Sequence, residues 1–287
     1  MTDTPSDNAP APLSWHRDDL ECRLGFQGGR YTQTRILLWL IAAGVLTAGF
    51  YGLMSFYPRA YLVQVFTQRG PVQYIIVFFF FWSLLMLLAK ASKARHQRRA
   101  LAVTDVVPEE ADFVLSPAQA DPVLRRLAAR CEDPRKFILF NRIEMALSKM
   151  KNMGSVAELE SVLKTQAEND EDVVDSSYVL LRGLVWSIPV LGFIGTVQGL
   201  SLAIGGFSDV LAVTSELEAL RTELQDVTGG LATAFETTLV ALVAALIIQL
   251  LMTIVRKGEE ELLDACKEYC QRHVVSRIRL TPFETAA

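Results

Sequence analysis

Four long apolar runs decide what this chain can fold into. Residues 36–57, 72–89 and 183–208 carry no charge, and residues 227–255 carry a single one, Glu236. A helix needs ~20 apolar residues to cross the hydrocarbon layer, and each run is about that long or longer. Of the 287 residues 51% are hydrophobic, yet 21% are charged, so the chain divides into membrane and aqueous blocks. The expectation is an all-α membrane protein with spans at 36–57, 71–89, 183–208 and 227–255. Between them lie outward loops at 58–70 and 209–226 and a helical cytoplasmic insert at 90–182. A cytoplasmic segment at 1–35 precedes the first span, and a cytoplasmic helix at 256–287 follows the last.

The placement of positive charge orients these spans. Lys90, Lys93, Arg95, Arg98 and Arg99 follow the second span, Arg182 precedes the third, and Arg256 and Lys257 follow the fourth. Arg23, Arg30 and Arg35 precede the first. The other side has only Arg59, Arg69 and Arg221. The positive-inside rule then places both termini and the insert in the cytoplasm. No secretory signal peptide is read at the N-terminus, because the segment before Arg35 is polar with mixed charges.

Local signals divide the aqueous blocks. Residues 1–13 read as disordered, and 14–35 as a lead-in to the first span. Pro58 and Gly70-Pro71 bound the first outward loop, and the second span starts at that proline. Its Phe78–Trp82 aromatic run suits lipid or interhelical packing. In the insert, helical spacing of apolar residues marks 117–131 and 134–153, broken at Gly154. Ser155 and Glu158 form a capping box. Asp170, Glu171 and Asp172 suggest a further helix beginning near Asn169, running unbroken into the third span. After the fourth span, Leu262, Leu263, Cys266, Tyr269, Cys270, Val274 and Ile278 share one side of an amphipathic helix. Cys266, Cys270 and nearby His273 read as packing, since no second pair of metal ligands exists. No phosphate loop, zinc motif, nucleophile elbow or internal repeat is present, so the chain reads as no enzyme.

The third and fourth spans hold the candidate functional residues. Gly192, Gly195, Thr196, Gly199, Ala203 and Gly206 fall on one face of the third, starting three residues past Pro189. Ala234, Thr238, Ala241 and Ala245 make a matching stripe on the fourth. Small residues let helices approach closely in lipid, and taken alone this face needs no transport role. Thr196 and Thr238 come out at nearly one depth, about 18 Å and about 15 Å from the outer end. Two hydroxyls at one depth could form a polar ring in a closed oligomer, although a lone membrane threonine often bonds only its own i−4 carbonyl. Glu236 lies ~200° around the helix from Thr238. It shares a face with Thr233, Val240 and Val243, with Thr237 between the two faces. A carboxylate at hydrocarbon depth costs at least ~2.5 kcal/mol and so points to function. Glu236 reads either as a proton relay or as a neutral hydrogen-bond donor that fixes packing, with a slight preference for the relay.

The string from Ile188 to Leu200, IPVLGFIGTVQGL, followed by Leu231 to Ala245, LATAFETTLVALVAA, resembles the MotA/TolQ/ExbB proton-channel family. The likeness is sharp over 175–257. It differs from the biopolymer-transport branch in two ways. An acid common in that branch falls at Thr233 here, and this chain has four expected spans where that branch has three. The resemblance implies a subunit of an ion-driven rotary motor in a bacterial inner membrane. Five copies would surround a dimer of a single-span protein like MotB, ExbD or TolR. That partner supplies the membrane aspartate, which takes H⁺, rather than Na⁺, from outside and releases it inside. Thr196 and Thr238 match the family's pore threonines. No cofactor, metal or nucleic acid is implied; the partners are the single-span protein, sister copies and membrane lipid. The competing classes are a scaffold without ion coupling and a stand-alone channel.

Overall fold

The computed structural model describes residues 12–23, 25–26, 29–68, 70–103, 106–108, 113–150, 152–153, 155–212 and 217–279. Among these there are ten α-helices: α1 Trp15–Asp18, α2 Leu20–Arg23, α3 Ile36–Met54, α4 Tyr61–Thr67, α5 Pro71–Leu101, α6 Pro117–Arg130, α7 Ile138–Met150, α8 Val156–Ser176, α9 Val179–Ala212 and α10 Leu217–Tyr269. A 3-10 turn at Pro134–Lys136 precedes α7. A π-helical turn at Cys270–Val274 and a 3-10 turn at Val275–Arg277 follow α10. β-type pairing among the described residues is limited to two isolated bridges, Leu13 with Cys131 and Leu115 with Ile278. Four helical stretches are long and apolar enough to cross a membrane, and their apolar windows fall in α3, α5, α9 and α10.

The chain divides into two compact units. One comprises residues 35–88 and 178–255, the other residues 1–34, 89–177 and 256–287. In the first, apolar unit, α5 packs Val72 and Ile76 against Ile188 of α9 and against Ala241, Ala244 and Ala245 of α10. Phe79 and Phe80 lie against the same cluster, and Phe81 meets Phe50 of α3 edge-on. The aromatic run therefore packs between helices. Large apolar side chains elsewhere in the unit are exposed, including Leu37, Ile41, Trp186, Phe193, Leu239, Leu246 and Ile254. A water-soluble domain rarely shows so much contiguous apolar surface; this is the surface of a multi-pass membrane protein.

Two expected loops are shorter than the sequence reading gave. The first outward loop contains α4, whose Val63 and Val65 are buried. Gln73 of α5 is fully buried and donates its Nε2 to Val65 O at 3.2 Å. The second loop was expected over 209–226, yet α9 runs to Ala212 and α10 begins at Leu217. Glu218, Ala219, Leu220, Arg221 and Glu223 are good helix formers, and nothing in their chemistry stops a helix once it leaves the apolar layer. Residues 213–216, between the two helices, lie outside the described residues.

The second, polar unit is built on α7, whose Ile138, Leu139, Phe140, Ile143, Ala146, Leu147 and Met150 are all buried. Trp15 of α1 is buried edge-on against Phe137. The lead-in contains two short helices of four residues each, α1 and α2. Leu13 N donates to Arg130 O and its own carbonyl accepts from Glu132 N, so residue 13 is ordered; the rest of the segment read as disordered, up to residue 11, lies outside the described residues. Gly154, read as a breaker, also lies outside them.

α8 needs a larger correction. No helix begins near Asn169. Ser155 Oγ accepts from Glu158 N, as the capping box requires, and α8 then continues unbroken to Ser176, with no Gly or Pro to stop it. Asp170 sits mid-helix, fully buried, and its carboxylate binds Arg142 instead of complementing a helix start. Nor does one helix run through into the third span. Ser177 Oγ bonds Val174 O at 2.5 Å and Ser177 N closes on the same carbonyl, a local alternative to helical bonding that ends α8.

Two of the lysines that orient the spans are internal to the polar unit. Lys90 pairs with Glu259 at 3.2 Å and donates to Ser177 Oγ at 2.7 Å. Lys93 pairs with Glu21 at 2.6 Å and donates to Gln33 O. Both lysines are almost wholly buried.

Candidate ion-path site

The site is where α9 and α10 come closest within the apolar unit. Glycine makes the approach: a Cβ on Gly199 would sit 2.6 Å from Ala234 N and 2.7 Å from Gly230 O. One on Gly192 would sit 2.6 Å from Ala241 Cβ. One on Gly195 would overlap the Thr237 methyl. Ala203 is buried against Gly230, whose own Cβ would meet Ala203 N at 2.8 Å. The small-residue stripes therefore face each other in one chain. Ala234 and Ala241 are buried in that seam, while Ala245 turns toward Ile76 and Val72. Pro189 lies inside α9 without ending it. It removes one backbone donor, and neighbouring Ile188 is fully buried.

Thr196 and Thr238, expected at nearly one depth, meet at this seam. Their hydroxyls are in direct hydrogen-bond contact. Thr238 Oγ1 also lies 2.9 Å from Gly192 O, and Thr196 Oγ1 lies 3.2 Å from Gly192 O and 3.4 Å from Ala234 O. Each hydroxyl has one proton. The shortest consistent chain runs from Thr196 to Thr238 to the Gly192 carbonyl. It leaves lone pairs on Thr196, which is half-buried. Such an oxygen can accept from a protonated carboxyl group. By rotating its hydroxyl toward the seam or away, it can also donate to a carboxylate.

The other polar residues occupy different places. Thr237 is fully buried against Gly195, and its Oγ1 has no hydrogen-bond partner. Thr233 bonds its own i−4 carbonyl, Gly229 O, at 2.9 Å. Glu236 lies with Leu239, Val240 and Val243 along an apolar cavity of about 420 Å³, walled by α3, α4 and α5. Its Oε1 accepts from Tyr61 OH at 3.1 Å. The helical-wheel reading of two faces holds: the threonine pair is on one side of α10 and the carboxylate on the other. Sequence reasoning missed Tyr61, which is 175 positions away and carries no motif. It also missed Gly230, which a small-residue stripe extended one turn back from Ala234 would have found. Among the described residues no three His, Cys, Asp or Glu side chains gather in a metal-binding group, and Cys266 and Cys270 are buried.

Closely packed apolar helices with a hydroxyl pair at their crossing define the class: a helical membrane protein whose polar atoms lie inside the seam of two spans. The model of the MotA/TolQ/ExbB proton channel family matches residues 134–267, a stretch that covers α9 and nearly all of α10, and over it the chain is similar to that family. No curated protein and no solved structure matches the chain.

Proposed function

We propose that this chain is the ring-forming subunit of a proton-driven motor complex. Five copies surround a dimer of a single-span partner resembling MotB, ExbD or TolR. The partner's membrane aspartate takes a proton from outside, passes the Thr196–Thr238 pairs and releases it inside, and this cycle turns one component against the other. The complex sits in a bacterial inner membrane with both termini of this chain in the cytoplasm. H⁺ is favoured over Na⁺ because no cluster of carboxylates lies beside the threonines among the described residues.

The observation that carries this reading is the hydroxyl pair, held by a glycine seam that leaves Thr196 half-open. Glu236 has no place in that ring. Its bond to Tyr61 and its apolar surroundings support the packing role, in which it holds α4 to α10. One feature favours a scaffold without ion coupling: each hydroxyl of the pair already has an acceptor inside the chain.

Proton flux in vesicles containing the subunit and its partner separates the two readings. Thr196→Val and Thr238→Val keep the shape and remove the hydroxyls. Each is expected to reduce flux at least ~10-fold, the scale of one lost hydrogen bond to a charged group, with normal membrane insertion. Full flux in the double valine variant would falsify the pore assignment and leave the scaffold.

A further inference from the structure

We propose that the polar unit carries a binding site for a small, soluble phosphate-bearing anion, centred on Arg142. The inference does not depend on the motor reading. Arg142 projects from α7 and is 1% exposed. Its Nε donates to Asp170 Oδ2 at 2.7 Å. The other carboxylate oxygen is occupied too: Asp170 Oδ1 accepts from Tyr31 OH at 2.9 Å and from Gln166 Nε2 at 2.7 Å. Burial, and then the neighbouring Asp170 charge, push the Tyr31 phenol up to about 12, so it stays a donor at any physiological pH.

Asp170 therefore meets Arg142 through Nε alone. The Nη1 and Nη2 atoms are buried and have no hydrogen-bond partner. Four N–H donors of a buried cation left unpaired are costly, and the planar guanidinium fork is shaped for an oxyanion. Arg142 is one of the residues lining a cavity of about 160 Å³ between α7, α8 and the end of α10. Lys164 and Lys267 line it with Gln271, and Glu160 brings the opposing charge. Arg142 and Asp170 cancel, and two lysines against Glu160 leave one positive charge. Gln271 is supplied by the π-helical turn after α10, a departure from regular helix that is frequent at functional sites.

Volume and lining limit the occupant. A cavity of this size admits a phosphate group and a few further atoms. Three of its four charged lining residues, Lys164, Lys267 and Glu160, are exposed and reachable from solvent. None of its lining residues is an exposed large apolar side chain that would receive an acyl chain. The source is accordingly a soluble ion or ester and not a lipid headgroup.

The test is calorimetric titration of the full-length protein in detergent with inorganic phosphate, at ionic strength matched with chloride. Saturable binding at one site per chain is expected. Lys164→Ala with Lys267→Ala should weaken it ~10-fold or more, since each removes a charge-assisted contact. Both lysines are exposed, so thermal melting without phosphate should stay unchanged. Arg142→Lys keeps a cation beside Asp170 but loses the fork, and should abolish the signal. Absence of saturable binding up to ~10 mM phosphate, an affinity weaker than about 3 kcal/mol, overturns the proposal. So does unchanged affinity in the double lysine variant, or binding of short-chain phosphatidylglycerol in preference to inorganic phosphate.

Discussion

A methyl group at position 199 has nowhere to go. It would press on Ala234 N and Gly230 O, which are backbone atoms and cannot rotate aside. Gly199→Ala should therefore force α9 and α10 apart, at a cost of roughly 1–3 kcal/mol, the usual range for overpacking. Gly205, six residues on in the same helix, has open space where its Cβ would be. Gly205→Ala should be neutral or stabilising by up to ~1 kcal/mol from helix propensity. Thermal unfolding in one detergent compares them; equal midpoints for the two variants would show that the seam is loose. Glu236 gives a second comparison at this scale. Its carboxylate accepts from Tyr61 OH, and a glutamine carbonyl can accept the same bond. Glu236→Gln should keep both assembly and flux within about twofold, whereas Glu236→Ala should loosen assembly by removing the Tyr61 bond between α4 and α10. Collapse of flux in the glutamine variant, with assembly intact, would restore Glu236 as a relay. Thr196 and Thr238 were legible in the sequence because helical period and depth depend only on local spacing. The Tyr61 bond to Glu236 was not legible, because no rule of spacing links a carboxylate to a tyrosine 175 positions away on another helix.

Helices were legible where composition forced them and misread where a tertiary contact set the boundary. Uncharged runs located α3, α5, α9 and α10, and Ser155 marked the start of α8 through its own cap. The segment from Asn169 to Asp172 misled because acids in a row resemble a first turn. Their meaning changed once Arg142 packed onto Asp170. The same pair makes α8 sensitive at its middle and tolerant at its start. Asp170→Ala would leave a buried guanidinium without its carboxylate, a loss of roughly 3–5 kcal/mol. Ser155→Ala removes one exposed cap bond and should cost only ~1 kcal/mol. Protection of α8 amides in hydrogen exchange reads both. If Asp170→Ala left that protection as high as Ser155→Ala does, the buried pair would not be what holds α8 to α7.

One copy of this chain leaves its seam helices half covered. On α9, Phe193, Ile194 and Val197 are exposed; on α10, Phe235, Leu239, Leu242 and Leu246 are exposed too. Thr196 stays half-open between them with unused lone pairs. Lipid can cover the apolar side chains but offers no hydrogen bond to the hydroxyls. A ring of copies around a polar-bearing helix would cover the first and engage the second. The number of copies is not written in either stripe, since a glycine seam sets how closely two helices approach but not the angle between neighbouring subunits. Five is the number that the motor reading proposed above takes from the chain's likeness to the MotA/TolQ/ExbB family. Native mass spectrometry in mild detergent should show a pentamer, joined by two partner chains when both proteins are produced together. Ring mass and proton flux should rise together with added partner, because this chain contributes hydroxyls and no membrane aspartate among its described seam residues. A stable monomer or dimer that conducts without any partner would overturn the ring and favour the stand-alone channel.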